Sequence, residues 1–328
     1  MNPVAGPDDI TPRAAPPSVD HFLLTRFSAV LYPGAPPAEP EWLSYRLGFF
    51  LDACHASVTS QEGAGPFTWL VLFDDRCPDW FRDAIEELAA DGSFVPVWSH
   101  EVFTRDAFVP HVLARCRSAR VITTRLDSDD AIAYDFMAVV QARLARAENL
   151  FCSFPRGVQI DRSGGVYATL ETSAPFLSRI ERPTPEAPLR TVFEPRHARA
   201  RTVGPVLQVR SPAMWAQVLH DGNLLNRLLG RRVSPKVVNQ RFRFALGYAR
   251  HVPWPQLLVQ KLARRLAIFR LLVEHPGEAF RRFEAIVVSL RGTYVQPQLD
   301  TDEYFRERLR RWALRHGYRS RRYTVPTR

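Results

Sequence analysis

The chain has 328 residues, 46% of them hydrophobic, enough to bury a large core. Its net charge of +10 is uneven: residues 231–328 hold 22 Arg and Lys against 7 Asp and Glu, so the remainder is acidic on balance. No apolar run approaches the roughly 20 residues of a membrane span, and residues 1–20 are Pro-rich and acidic, so neither a span nor a secretory signal is expected. Cys54, Cys77, Cys116 and Cys152 are widely spaced with no CxxC pair and read as reduced thiols of a cytoplasmic protein.

Residues 1–19 contain five prolines and little to bury, and are expected to form a flexible leader. From there strand-like and helix-like stretches alternate: strand 21–27, helix 42–59, strand 68–73, helix 80–90, strand 94–98, helix 105–117, strand 120–124 and helix 134–148. Short apolar strands separated by amphipathic helices predict an α/β fold, a Rossmann-like, mostly parallel sheet with helices on both faces. In such sheets ligands sit at the carboxyl ends of the strands. Two of those ends are acidic here: residues 70–73 run into Asp74 and Asp75, and residues 121–124 lead through Arg125 and Leu126 into Asp127. After residue 150 the pattern shifts to shorter strands and turns, read as an acceptor-side region completing the sheet. From residue 233 helices and arginines dominate. The expected organisation is a leader (1–19), a catalytic domain (20–232) and a helical, Arg-rich extension (233–328).

The run Asp127-Ser128-Asp129-Asp130 follows an apolar strand and precedes a helix. Carboxylates at this density repel one another unless a cation or water separates them, so a hard-metal site for Mn²⁺ or Mg²⁺ is physically reasonable. Such an ion keeps open positions that a nucleotide diphosphate can fill. A solvated loop whose aspartates cap the following helix is the other reading. Arg26 and Arg125 are suited to pair with phosphate bidentately, or to neutralise the aspartates as salt-bridge partners.

Thr123-Thr124-Arg125-Leu126-Asp127-Ser128-Asp129-Asp130-Ala131 resembles the TRLDxDDA signature of the rhamnosyltransferase family, a branch of the GT-A glycosyltransferases. Residues 21–27, Arg46 with residues 57–61, residues 68–75, a PFxSxxE-like segment (Pro175 to Glu181) and a WxQxxHxxN-like segment (Trp215 to Asn223) extend the resemblance over about residues 20 to 235. It implies a GT-A domain moving a sugar, rhamnose being the family's nominal one, from a nucleotide-diphosphate donor to a glycan or lipid-linked acceptor. On it, Asp127, Asp129 and Asp130 hold the metal and donor diphosphate, His220 adds a distant metal or phosphate ligand, and Asp74, with Asp75 the alternate, accepts from the nucleotide base. Helix capping by Asp74 and Asp75 is the competing reading.

Transfer with inversion needs a carboxylate to take the acceptor's proton; Glu171, Glu181 and Glu194 are candidates, and Glu181, within the PFxSxxE-like segment, is placed first. Residues 256–273 project as a basic amphipathic helix, and residues 306–322 cluster arginines with Trp312 and Tyr318. The first suits peripheral contact with an anionic membrane face, or packing on the catalytic domain, and the second has the composition to grip a phosphate-bearing acceptor or nucleic acid. No nucleic-acid-binding signature accompanies them. A metal-dependent nucleotidyl- or phosphotransferase, and a noncatalytic protein binding anionic surfaces, are the alternative functions.

Overall fold

The computed structural model describes residues 18–161, 163–220, 231–244 and 292–303, with isolated positions between 246 and 266. The elements run β1 (Asp20–Arg26), α1 (Pro40–Phe49), a π-helical turn (Phe50–His55), α2 (Ala56–Thr59), β2 (Thr68–Phe73), α3 (Asp79–Ala89), β3 (Val95–Trp98), α4 (Val109–Leu113), β4 (Val121–Asp127), β5 (Ala131–Ile132) and α5 (Phe136–Leu144). Shorter strands follow: β6 (Leu150–Ser153), β7 (Arg156–Ile160), β8 (Val166–Leu170), β9 (Leu177–Glu181), a 3-10 turn (His197–Thr202), β10 (Val206–Gln208), β11 (Trp215–Val218) and β12 (Arg231–Arg232). Helix α6 (Lys236–Arg241) and strand β13 (Tyr294–Gln296) complete the described elements.

The fold is mixed α/β, as the alternation predicts. One eight-stranded sheet has the order β13-β10-β6-β9-β4-β1-β2-β3, and a five-stranded sheet has the order β12-β8-β7-β11-β5. Strands β3, β2, β1 and β4 are mutually parallel, whereas β9 enters antiparallel between β4 and β6. The sheet is therefore mixed: parallel throughout from β3 to β4, and beyond β9 parallel at the β6–β10 pair and antiparallel at β10–β13. Parallel neighbours need long crossovers, which the helices before residue 150 provide; beyond it, the shorter connections favour antiparallel pairs.

Burial on both faces explains the apolar strand sequences. Leu23, Val71, Phe73 and Ile122 face one core with Phe50, Phe81, Ile85 and Val140, while Phe22, Leu24, Leu70 and Leu72 face the other with Phe108 and Val112. The first core is aromatic: Phe27 packs on Phe50, Phe73 and Phe81 at centroid separations of 5.3–5.5 Å.

The leader expected over residues 1–19 falls almost entirely outside the described residues, as do most of the helix expected at 256–273 and all of the basic cluster at 306–322. The expected boundary at 233 is not a division in what is described. Val233 donates to the Val166 carbonyl at 2.8 Å, Val238 and Phe242 of the α6 region are buried in the first core, and β13 pairs with β10 at the end of the large sheet. Among the described residues no helix is long and apolar enough to cross a membrane.

Candidate active site

Because β1, β2 and β4 are parallel and in register, their carboxyl ends lie side by side; Arg26 stands opposite Leu72 on one neighbour and Asp127 on the other. These ends open onto a cleft of about 820 Å³ lined by Arg26, Asp74, Arg125, Asp127, Asp129 and His197 among others. Asp127 ends β4, and the next residues turn tightly, the Asp130 N–H donating to the Asp127 carbonyl at 3.2 Å.

Each carboxylate of the turn has its own partner. Asp127 takes a two-pronged contact from Arg125, whose Nη2 lies 3.0 Å from both carboxylate oxygens, and Arg26 approaches to 3.7 Å. The two guanidinium groups share the Phe193 ring, at 5.4 and 5.5 Å from its centroid. Asp129 is buried between Arg46, whose Nη1 donates to Oδ2 at 2.7 Å, and His220, whose Nε2 lies 2.8 Å from the same oxygen. Burial alone would raise the Asp129 pKa, but the His220 hydrogen bond and Arg46 outweigh it and hold the carboxyl below its usual range. Asp130 faces inward, accepting the Val218 N–H at 3.0 Å; burial, then its charged neighbours Asp129 and Asp127, push its carboxyl well up.

Helix α1 supplies what the linear motif lacks. Arg46 reaches both Asp129 and Ser128, donating to the latter from Nη2 at 2.9 Å, and Phe49 stacks on the His220 ring at 4.3 Å with Tyr45 edge-on at 5.6 Å. Tyr45 and Phe49 are four residues apart, so one helix face meets the imidazole. Further along, Ser57 accepts the Ile132 N–H and Gln61 bonds Ala133 and Met137, tying the segment beyond the turn to α2.

The sequence-predicted residues are thus only partly brought together. Arg26, Arg125, Asp127, Asp129 and His220 gather around the turn. Among the described residues, however, no three His, Cys, Asp or Glu side chains form a ready metal cage: the expected four-ligand set Asp127, Asp129, Asp130 and His220 is not assembled, and of these four the side chains of Asp129 and His220 are hydrogen-bonded to each other. Asp127 is engaged by arginines and Asp130 by the backbone of β11. Asp74 lines the cleft with both oxygens on Arg76, at 2.9 and 2.7 Å, and Arg76 also holds the Ala35 carbonyl at 3.1 Å. Asp75 binds His100 at 2.9 Å, and neither aspartate caps α3, which has no side-chain cap.

Glu181 is in the wrong place for a base. It pairs with Val121, the first residue of β4, whereas Asp127 is the last, about 20 Å away at roughly 3.3 Å per residue. There it is buried, bonded to the Arg190 N–H at 3.1 Å and 3.4 Å from Arg179. The antiparallel direction of β9 carries its last residue to the opposite end of the strands, beside the start of β4. Residues not foreseen as site members are Arg46, Arg76 and His197; Arg46 was visible only as part of a family-like helix, and no local signal marks the others.

The family model described as "Putative rhamnosyl transferase" matches residues 34–232, more than half of the chain. Similar solved structures include residues 1–349 of TarS from S. aureus in complex with UDP, at 13% identity and TM-score 0.34, covering 67% of this chain and 62% of that one. The UDP-GlcNAc complex of TarS matches at 15% identity and TM-score 0.33, covering 67% and 65%, so the chain spans less than two thirds of these TarS chains. HddC from Yersinia pseudotuberculosis matches at 10% identity and TM-score 0.29, covering 50% and 76%. The comparison with curated proteins gives no match. On the extent of the family match, the chain belongs to that family.

Proposed function

We propose that the protein moves a sugar, rhamnose or a related deoxyhexose, from a nucleoside-diphosphate donor to a hydroxyl of a glycan or lipid-linked acceptor, with Mn²⁺ or Mg²⁺ at Asp129 and His220. The observation that carries this reading is the meeting of Arg26, Arg125, Asp127 and Asp129 at the carboxyl ends of parallel strands, on one cleft. The Asp129 carboxylate and the His220 imidazole meet at 2.8 Å, and Arg46 Nη1 contacts both atoms at 2.7 and 3.0 Å, so an ion held by this pair would take the place of that guanidinium contact. Such ions take one or two protein carboxylates and leave their other positions to phosphates and water, while imidazole suits Mn²⁺. When bound, the ion neutralises charge on the leaving diphosphate.

The chain's own residues do the remaining work. Arg26 and Arg125, held on Phe193 and aimed at Asp127, present planar forks to donor phosphate oxygens entering the cleft. Arg46 fixes Asp129 in its ionised form, and Phe49 fixes the His220 ring. Asp74 orders Arg76 and through it the Ala35 segment, a corner suited to the nucleoside end of the donor.

The test is thermal unfolding with UDP, dTDP or GDP, each with and without Mn²⁺. Ligand at about 100 times its Kd stabilises by about 2.7 kcal/mol, a rise of several degrees for a domain of this size. One nucleotide is expected to give that rise, larger with Mn²⁺, and Asp129→Asn to remove the Mn²⁺ increment. No response to any nucleotide would overturn the reading.

A further inference from the structure

The cleft is lined by a histidine that neither the acidic turn nor the diphosphate reading uses. His197 opens the 3-10 turn, is half-buried and lines the same cleft as Asp127 and Asp129. Its Nδ1 lies 2.6 Å from the Ser173 carbonyl oxygen. A carbonyl only accepts, so Nδ1 carries the hydrogen, and in the neutral ring the lone pair is on Nε2. The imidazole is thereby oriented by a backbone group in the way a general base needs: one nitrogen anchored, the other ready to accept.

Every carboxylate at the acidic turn is committed elsewhere: Asp127 to Arg125, Asp129 to Arg46 and His220, Asp130 to the Val218 N–H. Asp74 is saturated by Arg76, and Glu181 stands at the far end of the sheet. The remaining carboxylate lining the cleft is Glu39, exposed at the start of α1. Resting on the transfer reading above, we propose that His197 is the general base that takes the acceptor's proton.

In this step the acceptor O–H bond breaks and its proton passes to His197 Nε2. The acceptor oxygen bonds to the anomeric carbon, and the bond from that carbon to the diphosphate breaks, its electron pair leaving with the nucleoside diphosphate. The imidazolium then returns its proton to water. Arg125 on β4, Asp127 at its end and Glu171 in the loop carrying Ser173 are the charged groups that bias the ring. Burial first, then Arg125, lower its pKa, so the ring is neutral at pH 7, while the two carboxylates favour the transient cation.

The experiment compares the wild-type chain with His197→Gln and Glu39→Gln. Nucleoside diphosphate release from dTDP-rhamnose, with methyl rhamnoside or water as acceptor, is measured as a function of pH, alongside the thermal shift with dTDP and Mn²⁺. Nitrogen-detected NMR reads the His197 tautomer. The expected result is an Nδ1–H tautomer, release slowed about 100-fold or more in His197→Gln with the dTDP shift retained, and loss of the acid limb of kcat/KM. Glu39→Gln is expected to stay within about threefold. An Nε2–H tautomer, near-normal release by His197→Gln, or equal loss of the dTDP shift and of release in that variant overturns the assignment. Slow release in Glu39→Gln alone moves the role to Glu39. A wild-type chain that responds to no nucleotide overturns the transfer reading itself, a result distinguishable from all of these.

Discussion

Asp129 is the residue on which most of the site's charge balance turns. Arg46 bonds it at 2.7 Å, His220 at 2.8 Å, and its side chain is 8% exposed against 11% for Arg46. Removing one member of a buried pair strands the other, a loss of about 3–5 kcal/mol. Asp129→Ala is therefore expected to destabilise the protein by about that amount in urea unfolding and to abolish turnover, with Arg46→Ala close behind. Retention of full stability by both variants would show the pair to be solvated. Glu181→Gln is expected to behave oppositely. Its carboxyl is pushed up by burial, so ionising it in the fold costs stability as pH rises through that raised value, and a neutral amide avoids the cost. Glutamine retains an acceptor for the Arg190 N–H. Turnover within about twofold of wild type and stability within about 1 kcal/mol are expected at pH 7; a collapse of turnover would restore Glu181 as a candidate base.

At the scale of elements, β1, β4 and β9 are joined by a buried polar chain: His21 Nε2 to Thr124 Oγ1 at 2.8 Å, and Thr124 Oγ1 to Ser178 Oγ at 2.7 Å. Burial pushes the His21 pKa down to about 3. Its unfolded value is near 6.5, so between pH 6.5 and 3 the unfolded chain binds the extra proton and stability falls as pH falls. Going from pH 6.5 to 5 is expected to cost about 2 kcal/mol through this group, and His21→Asn to flatten the slope by up to one proton; an unchanged slope would exclude His21 as the source. These same strands show what a sequence can disclose. Strands β1 to β4 and helix α3 fall within a few residues of their expected limits, because apolar runs buried on both faces leave a strong local pattern. The helix expected at 42–59 is broken by a π-helical turn, and the one at 105–117 contracts to Val109–Leu113. Strand direction leaves no local trace, so nothing in the segment around Glu181 disclosed that β9 runs backwards. The acidic turn was legible because its residues are consecutive. Arg46 lies 83 positions from Asp129 and 174 from His220, and only topology joins them.

At the scale of the molecule, the described residues pack across the break in composition at about residue 233. The segment beyond it is strongly basic, which argued for an appended extension. Yet Arg241 pairs with Asp135 at the start of α5 and accepts the Tyr134 N–H through its carbonyl, bracing the chain just beyond the acidic turn. Buried Val238 and Phe242 contribute about 2 kcal/mol each by area alone. Strand β13 covers β10, and its removal would leave a bare sheet edge open to association with other chains. A chain ended at residue 232 is therefore expected to unfold at least about 10 °C below the full chain, from some 4 kcal/mol at a few degrees per kcal/mol, and to aggregate on size exclusion. Nucleotide response should fall with it, because the support of the segment after Asp130 goes too. A truncated chain that stays monomeric, melts with the full-length protein and keeps its dTDP shift would show that residues 20–232 form a self-sufficient transferase domain after all.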